Sequence, residues 1–257
     1  MSPVPKTLDA TYRARAIPLG SVRYWSWLFA TAPARAPLLG VYALLAEWNA
    51  LLDPATEASA SRIKLAWWQE EIQRLIVRAP VHPICRYLAS LPRADAVDFT
   101  PLSGAVDASL AELSGVPLER SAELEPHACA MRAGPLRLAS QLAFDGLDEA
   151  GLENCLRALA AADYVARMTR DYRRQARVGR VPFAVEELLA AGLENADLCA
   201  DQAPPKLESY LQLLRARRAV LRDRRAGAAR GLPCPAASLA GVGCVRPQTL
   251  AAAYVKP

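Results

Sequence analysis

The chain reads as all-α, and three observations predict it. Ala and Leu dominate a sequence that is 53% hydrophobic but only 7% aromatic, a balance that suits packed helices better than a sandwich or barrel. Apolar residues recur at spacings of three and four through most of the chain. No stretch sustains the strict alternation of a half-buried strand.

The first helix is expected over residues 21–30 and the next over 36–52, where Leu38, Val41, Leu45, Trp48 and Leu52 fall at helical spacing. Pro33 suits the turn between them, and Pro37 the first turn of the second. "DPAT" (53–56) is a turn, with Thr56 or Ser59 available to cap the third helix. "SRIKLAWWQEEIQRLIV" (61–77) is the strongest periodic segment. Leu65, Trp68, Ile72 and Leu75 form one stripe, Glu70 and Arg74 stand in the favourable i, i+4 order, and Pro80 ends the helix. Trp67 and Trp68 read as packing residues. A shorter helix comes next in 81–91, and "ADAVDFTP" (94–101) is loop. Helices are then expected over 100–114, 120–145, 148–177 and 204–229, with a loop and a short helix in 179–193. In the Pro- and Gly-containing tail only "TLAAAY" (249–254) reads as helical. With no repeat and no Gly/Ser linker, residues 1–257 form one domain.

The chain carries a formal charge of +5, unevenly spread. Residues 167–180 hold six arginines and one aspartate, and 215–230 hold seven and one, so thirteen of the 31 basic residues sit in two stretches. This clustering predicts an anionic partner, such as a phosphate or a lipid headgroup. Nucleic acid is not expected, since no aromatics interleave the arginines as in a single-strand platform and no DNA-binding motif accompanies them. The six cysteines form no CxxC pair and there are only two histidines, so zinc is not expected. The cysteines read as core residues of a reducing, cytoplasmic compartment. The N-terminus lacks the apolar run of a secretory signal, and no run of 18 apolar residues predicts a membrane span. Peripheral membrane contact stays open.

Four blocks together carry a resemblance: "RYWSWLFATAPARAPLLGVYALLAEWNALLD" (23–53), "KLAWWQEEIQRL" (64–75), "HPICRYLA" (82–89) and "RDYRRQARVGRVPFAVEELLAAGL" (170–193). In order and separation they resemble the squalene/phytoene synthase family. The resemblance is strongest over 21–193, and the tail 231–257 is atypical. It implies an isoprenoid-synthase fold, a helical bundle around a deep apolar cavity. Family members condense two prenyl diphosphates head to head, with Mg²⁺ held by two Asp-rich helices. The physical need is plain: metal ions neutralise the diphosphate as the C–O bond ionises, and hard cations want oxygen ligands.

Carried over residue by residue, the first motif, D-x-x-x-D, is Asn49 to Asp53 here, and the Arg three residues before it is Ala46. The second, N-x-x-x-D-x-x-x-D, is Arg167, Asp171 and Gln175. An early family serine matches Ser26. One carboxylate therefore survives in each motif. By this resemblance Asp53 and Asp171 are the residual catalytic or metal-ligating residues. Ser26, Asn49, Arg167, Arg170, Arg174 and Gln175 are the candidate phosphate-binding residues. The neighbouring arginines are expected to give the cavity mouth a net positive charge. The depleted ligand set points to a catalytically degenerate member that needs no cofactor. Such a protein would bind an isoprenoid or phosphate-bearing lipid, or a protein partner in the manner of relatives that serve respiratory-complex assembly. The alternative is an active Mg²⁺-dependent prenyl transferase acting on farnesyl or geranylgeranyl diphosphate with an altered metal set.

Overall fold

Asp9 opens the first helix, α1 (Ala10–Ala16), by accepting a hydrogen bond from the Thr11 N–H, and Ser21 does the same for α2 (Val22–Leu28) through Tyr24. These two short elements begin a computed structural model that describes residues 7–229, with side chains described to 224. Then come α3 (Ala32–Leu51), α4 (Ala58–Ile76), α5 (Pro83–Ala89), α6 (Pro101–Ser114), α7 (Leu124–Ala143), α8 (Glu149–Ala176), α9 (Val185–Ala190), α10 (Asn195–Cys199) and α11 (Pro205–Ala229). There is no strand among the described residues. The helix expected over 249–254 lies outside them.

Several boundaries differ from expectation. The helix expected from residue 36 starts at Ala32, because Pro33 takes the first-turn position and Pro37 is carried inside. There the ring removes one backbone donor, which a helix this deeply packed tolerates. Neither Thr56 nor Ser59 caps α4. Glu57 stands at that position without a side-chain bond to the backbone, Thr56 Oγ1 turns back to the Ala50 carbonyl, and Ser59 Oγ donates to Glu57. Nor does Pro80 end α4. The helix stops at Ile76, and Arg78 takes a left-handed φ of 63° while its guanidinium donates to the Val97 carbonyl. The segment expected helical from residue 120 opens with a 3-10 turn, Ser121–Glu123. The helices α1 and α10 were not expected.

The centre of the bundle is α7. It packs against α3, α6 and α8, while α11 covers the far side of α8 and α4 covers α6. Trp48, Leu38, Leu44, Leu65, Ile72 and Leu75 are fully enclosed, and Trp68 is 5% exposed. Trp67, by contrast, is 39% exposed. Close approach of α7 to α6 depends on Gly134, where an added Cβ would lie 2.7 Å from the Pro101 carbonyl oxygen. The buried Glu71 accepts from the backbone N–H groups of Val81 and His82 and from Arg74 Nε, which fixes the turn into α5. Of the cysteines expected in the core, Cys85 and Cys155 are buried but Cys129 and Cys199 are only partly so, and no disulfide joins any of these four.

Candidate functional site

The two motif remnants lie at the α3 and α8 ends of the bundle, and arginines join them. Asp53 follows α3 directly. Its Oδ1 accepts from the Ala55 N–H at 2.9 Å and from Arg174 Nη2, in the last turn of α8, at 2.7 Å. These two bonds, the backbone one first, hold the Asp53 carboxyl below the usual carboxylate range. Arg180 Nη1 reaches the same end of α3, donating to the Leu52 carbonyl at 3.0 Å and to Gln175 Oε1 at 3.5 Å. One turn back, Asn49 Oδ1 accepts from Arg132 Nη2 at 2.6 Å. Arg132 is buried on α7, and its Nε faces Asp163 of α8 at 3.3 Å. Burial lowers its pKa, an effect the Asp163 charge opposes.

Deeper in the bundle, Arg167 donates from both terminal nitrogens to Glu112 of α6, at 2.6 and 2.8 Å. Each side chain is only 18% exposed. His127 Nε2 stands 3.5 Å from the same carboxylate, and its ring meets Tyr164 edge-on. Burial acts to raise the Glu112 pKa, but the His127 hydrogen bond and the Arg167 charge outweigh it and bring it down to about 2. Asp171 accepts from its neighbour Arg170 at 3.0 and 2.7 Å.

A cavity of about 420 Å³ opens beside this group, between α6, α7, α8 and the loops 115–118 and 180–182. Glu112, His127, Tyr164, Arg167, Asp171 and Gln175 line it, while Asn49 and Asp53 do not. The second motif thus opens on the cavity, and the first is tied to it from outside. The arginines expected to make this mouth net positive each face a carboxylate: Arg167 with Glu112, Arg170 with Asp171, Arg174 with Asp53. Among the described residues, no group of three or more His, Cys, Asp or Glu side chains is placed to hold a metal ion.

Ser26 is buried on α2, donating to the Arg23 carbonyl at 2.9 Å and sharing a 2.8 Å hydrogen bond with the Tyr42 hydroxyl. Burial raises the Tyr42 pKa. The half-buried Arg23 guanidinium has neither a hydrogen bond nor an ion pair among the described residues, and its charge is felt by Tyr42 and Asp163. Burial lowers its pKa.

The sequence reading does not single out Glu112, Arg132, Asp163 or Arg23, gives His127 no role, and counts Arg180 only within the arginine cluster of 167–180. Of the first four, only Arg132 left a signal. It stands beside Met131 on the apolar run Ala128, Met131, Leu138, where a charge must find a partner.

A model of the squalene/phytoene synthase family matches residues 20–256 of this chain. Among solved structures, a dehydrosqualene synthase in complex with ligand is similar with a TM-score of 0.73 at 14% identity, over 88% of this chain and 78% of that one. Squalene synthase HpnC from Alicyclobacillus acidocaldarius is similar with a TM-score of 0.71 at 20% identity, over 89% of this chain and 86% of its own. The comparison with curated proteins finds no match. At these identities the structural likeness carries the fold alone. A family match over nearly the whole chain, with a helical bundle that follows two such synthases, makes this protein a member of the squalene/phytoene synthase family with the isoprenoid-synthase fold.

Proposed function

We propose that this chain holds a phosphate-bearing prenyl lipid without condensing it. The observation that carries this reading is the Arg174–Asp53 ion pair, which joins the two motifs through a guanidinium. Magnesium demands near-octahedral oxygen coordination and is reluctant to give up its waters. Here Asp53 and Asp171 already accept from arginines, Asn49 accepts from Arg132, and Gln175 accepts from Arg180. Such a donor set does not fit a Mg²⁺ cluster.

Arg23 supports the binding half of the proposal. It is a half-buried cation with no ion pair among the described residues, beside the Ser26 and Tyr42 hydroxyls. Arginine forks suit phosphate oxygens. In a test, purified protein is incubated with Mg²⁺ and farnesyl or geranylgeranyl diphosphate, and separately titrated with a prenyl diphosphate in EDTA. No C30 or C40 product is expected. Binding in EDTA is expected, weakened at least tenfold in Arg23→Ala, since roughly 1.4 kcal/mol is a factor of ten. Absence of binding would move the role toward a protein partner.

The second reading, an active transferase, is favoured by one observation: Asp171 opens on the cavity at a family ligand position. Turnover on the order of 1 s⁻¹ would establish it and overturn the first.

A further inference from the structure

Arg167, Arg170 and Arg174 each face a carboxylate, Arg132 faces Asp163, and Arg180 donates to the Leu52 carbonyl and to Gln175. Arg23 is half-buried and has no hydrogen bond or ion pair among the described residues. A guanidinium so placed lacks the counter-charge that a bound anion would supply.

The groups around Arg23 limit how much anion it can hold. Ser26 gives its single hydrogen to the Arg23 carbonyl, so the Tyr42 hydroxyl donates to Ser26 Oγ, and neither has a hydrogen left for a ligand. Arg23 is therefore the donor. One guanidinium fork matches two oxygens of one phosphoryl group. The Asp163 carboxylate of α8 acts on Arg23, and so does the buried Arg132 of α7. Two guanidiniums against one carboxylate leave a single positive charge in this part of the bundle. One turn along α8, at Arg167, the cavity begins, and it adds no cation to spare: Glu112, Glu123 and Asp171 line it against Arg167 and Arg180. A second phosphoryl group on that side would meet carboxylates.

We infer that the bound lipid carries a single phosphoryl group, and that the site favours a prenyl monophosphate over the corresponding diphosphate. A phosphate monoester carries about −1.5 to −2 at pH 7, and a diphosphate carries more. With a donor set that does not fit a Mg²⁺ cluster, nothing neutralises the excess. Uncompensated charge then discriminates between the two heads. This inference rests on the reading that the chain binds a phosphate-bearing prenyl lipid.

The experiment is calorimetric titration of the full chain, in EDTA at neutral pH, with farnesyl monophosphate and with farnesyl diphosphate. Roughly tenfold tighter binding of the monophosphate is expected, a difference of about 1.4 kcal/mol. Arg23→Gln should bring both ligands to the same weak affinity. Asp163→Asn keeps an acceptor for Arg132 and should strengthen the diphosphate several-fold more than the monophosphate. Its melting temperature is measured alongside, and the wild-type comparison stands by itself if that variant is destabilised. Diphosphate affinity equal to or above that of the monophosphate would overturn this inference and leave the lipid-binding reading intact. Binding of neither would overturn both. A stable Asp163→Asn with the wild-type ratio would overturn the inference too, since the carboxylate would not set the preference. So would displacement of the monophosphate by equimolar inorganic phosphate, which would assign the site to a free anion.

Discussion

Two ion pairs made by the motif residues differ in their surroundings. Arg174 and Asp53 meet at the rim, 54% and 40% exposed. Arg167 and Glu112 meet inside, each 18% exposed, with His127 on the same carboxylate. At the rim, water competes for both partners, so the pair is a weak clasp. Inside, the two charges are committed to each other, because either alone would be a buried ion. The comparison separates a clasp that a ligand or salt can open from a pair that is part of the core.

The largest expected effect breaks the inner pair. Glu112→Ala should cost about 3–5 kcal/mol in urea denaturation, since it strands the Arg167 charge. Glu112→Leu/Arg167→Met should recover most of that loss. A double variant as unstable as the single would show that the pair is not its source.

The next separates the pairs by pH. The Glu112 pKa falls from an ordinary 4.5 to about 2. A depressed carboxylate contributes stability that is fully present above the unfolded value and lost as pH falls through the folded one. Between pH 4.5 and about 2 the protein should therefore lose about 3 kcal/mol from this group. Thermal melts across that range should show a shallower fall in Glu112→Gln.

The glycine that seats α7 against α6 controls the approach of the helices carrying His127 and Glu112. Gly134→Ala brings a Cβ to 2.7 Å from a backbone oxygen. The expected cost is about 1–3 kcal/mol by denaturant unfolding. The smallest effect belongs to the rim. Arg174→Ala should cost about 0.2–1 kcal/mol at low salt and less at high salt, measured by the same unfolding curves.

Much of the bundle was legible because long helices repeat their apolar positions many times. The stripe Leu65, Trp68, Ile72, Leu75 survives any single misreading, and all four are buried. Short elements lack that redundancy. Helix α1 has seven residues, two of them arginines in its last turn, so its period never accumulates. The start of α3 was misplaced because two prolines four apart offered the same role, and only packing decides between them. At the site, the family resemblance marks the positions of Asn49, Asp53, Arg167, Asp171 and Gln175. Their long-range partners could not be read the same way. Arg167 finds Glu112 across 55 residues and Arg180 finds Leu52 across 128, and nothing local marks either pairing.

That separation along the chain has a consequence for how the protein is made. Asp53 meets Arg174 across 121 residues, and Asn49 meets Arg132 across 83. Closing such loops costs entropy before any contact repays it, so nearer packing such as α7 on α8 is favoured to form first. On a ribosome adding roughly 5–20 residues per second, Asp53 is added about 6–24 s before Arg174. Through that interval Asp53 is a solvated carboxylate with only the turn at Ala55 to hold it. The clasp must therefore follow the contacts among α1 to α7, and only the packing of α9 to α11 can come after it.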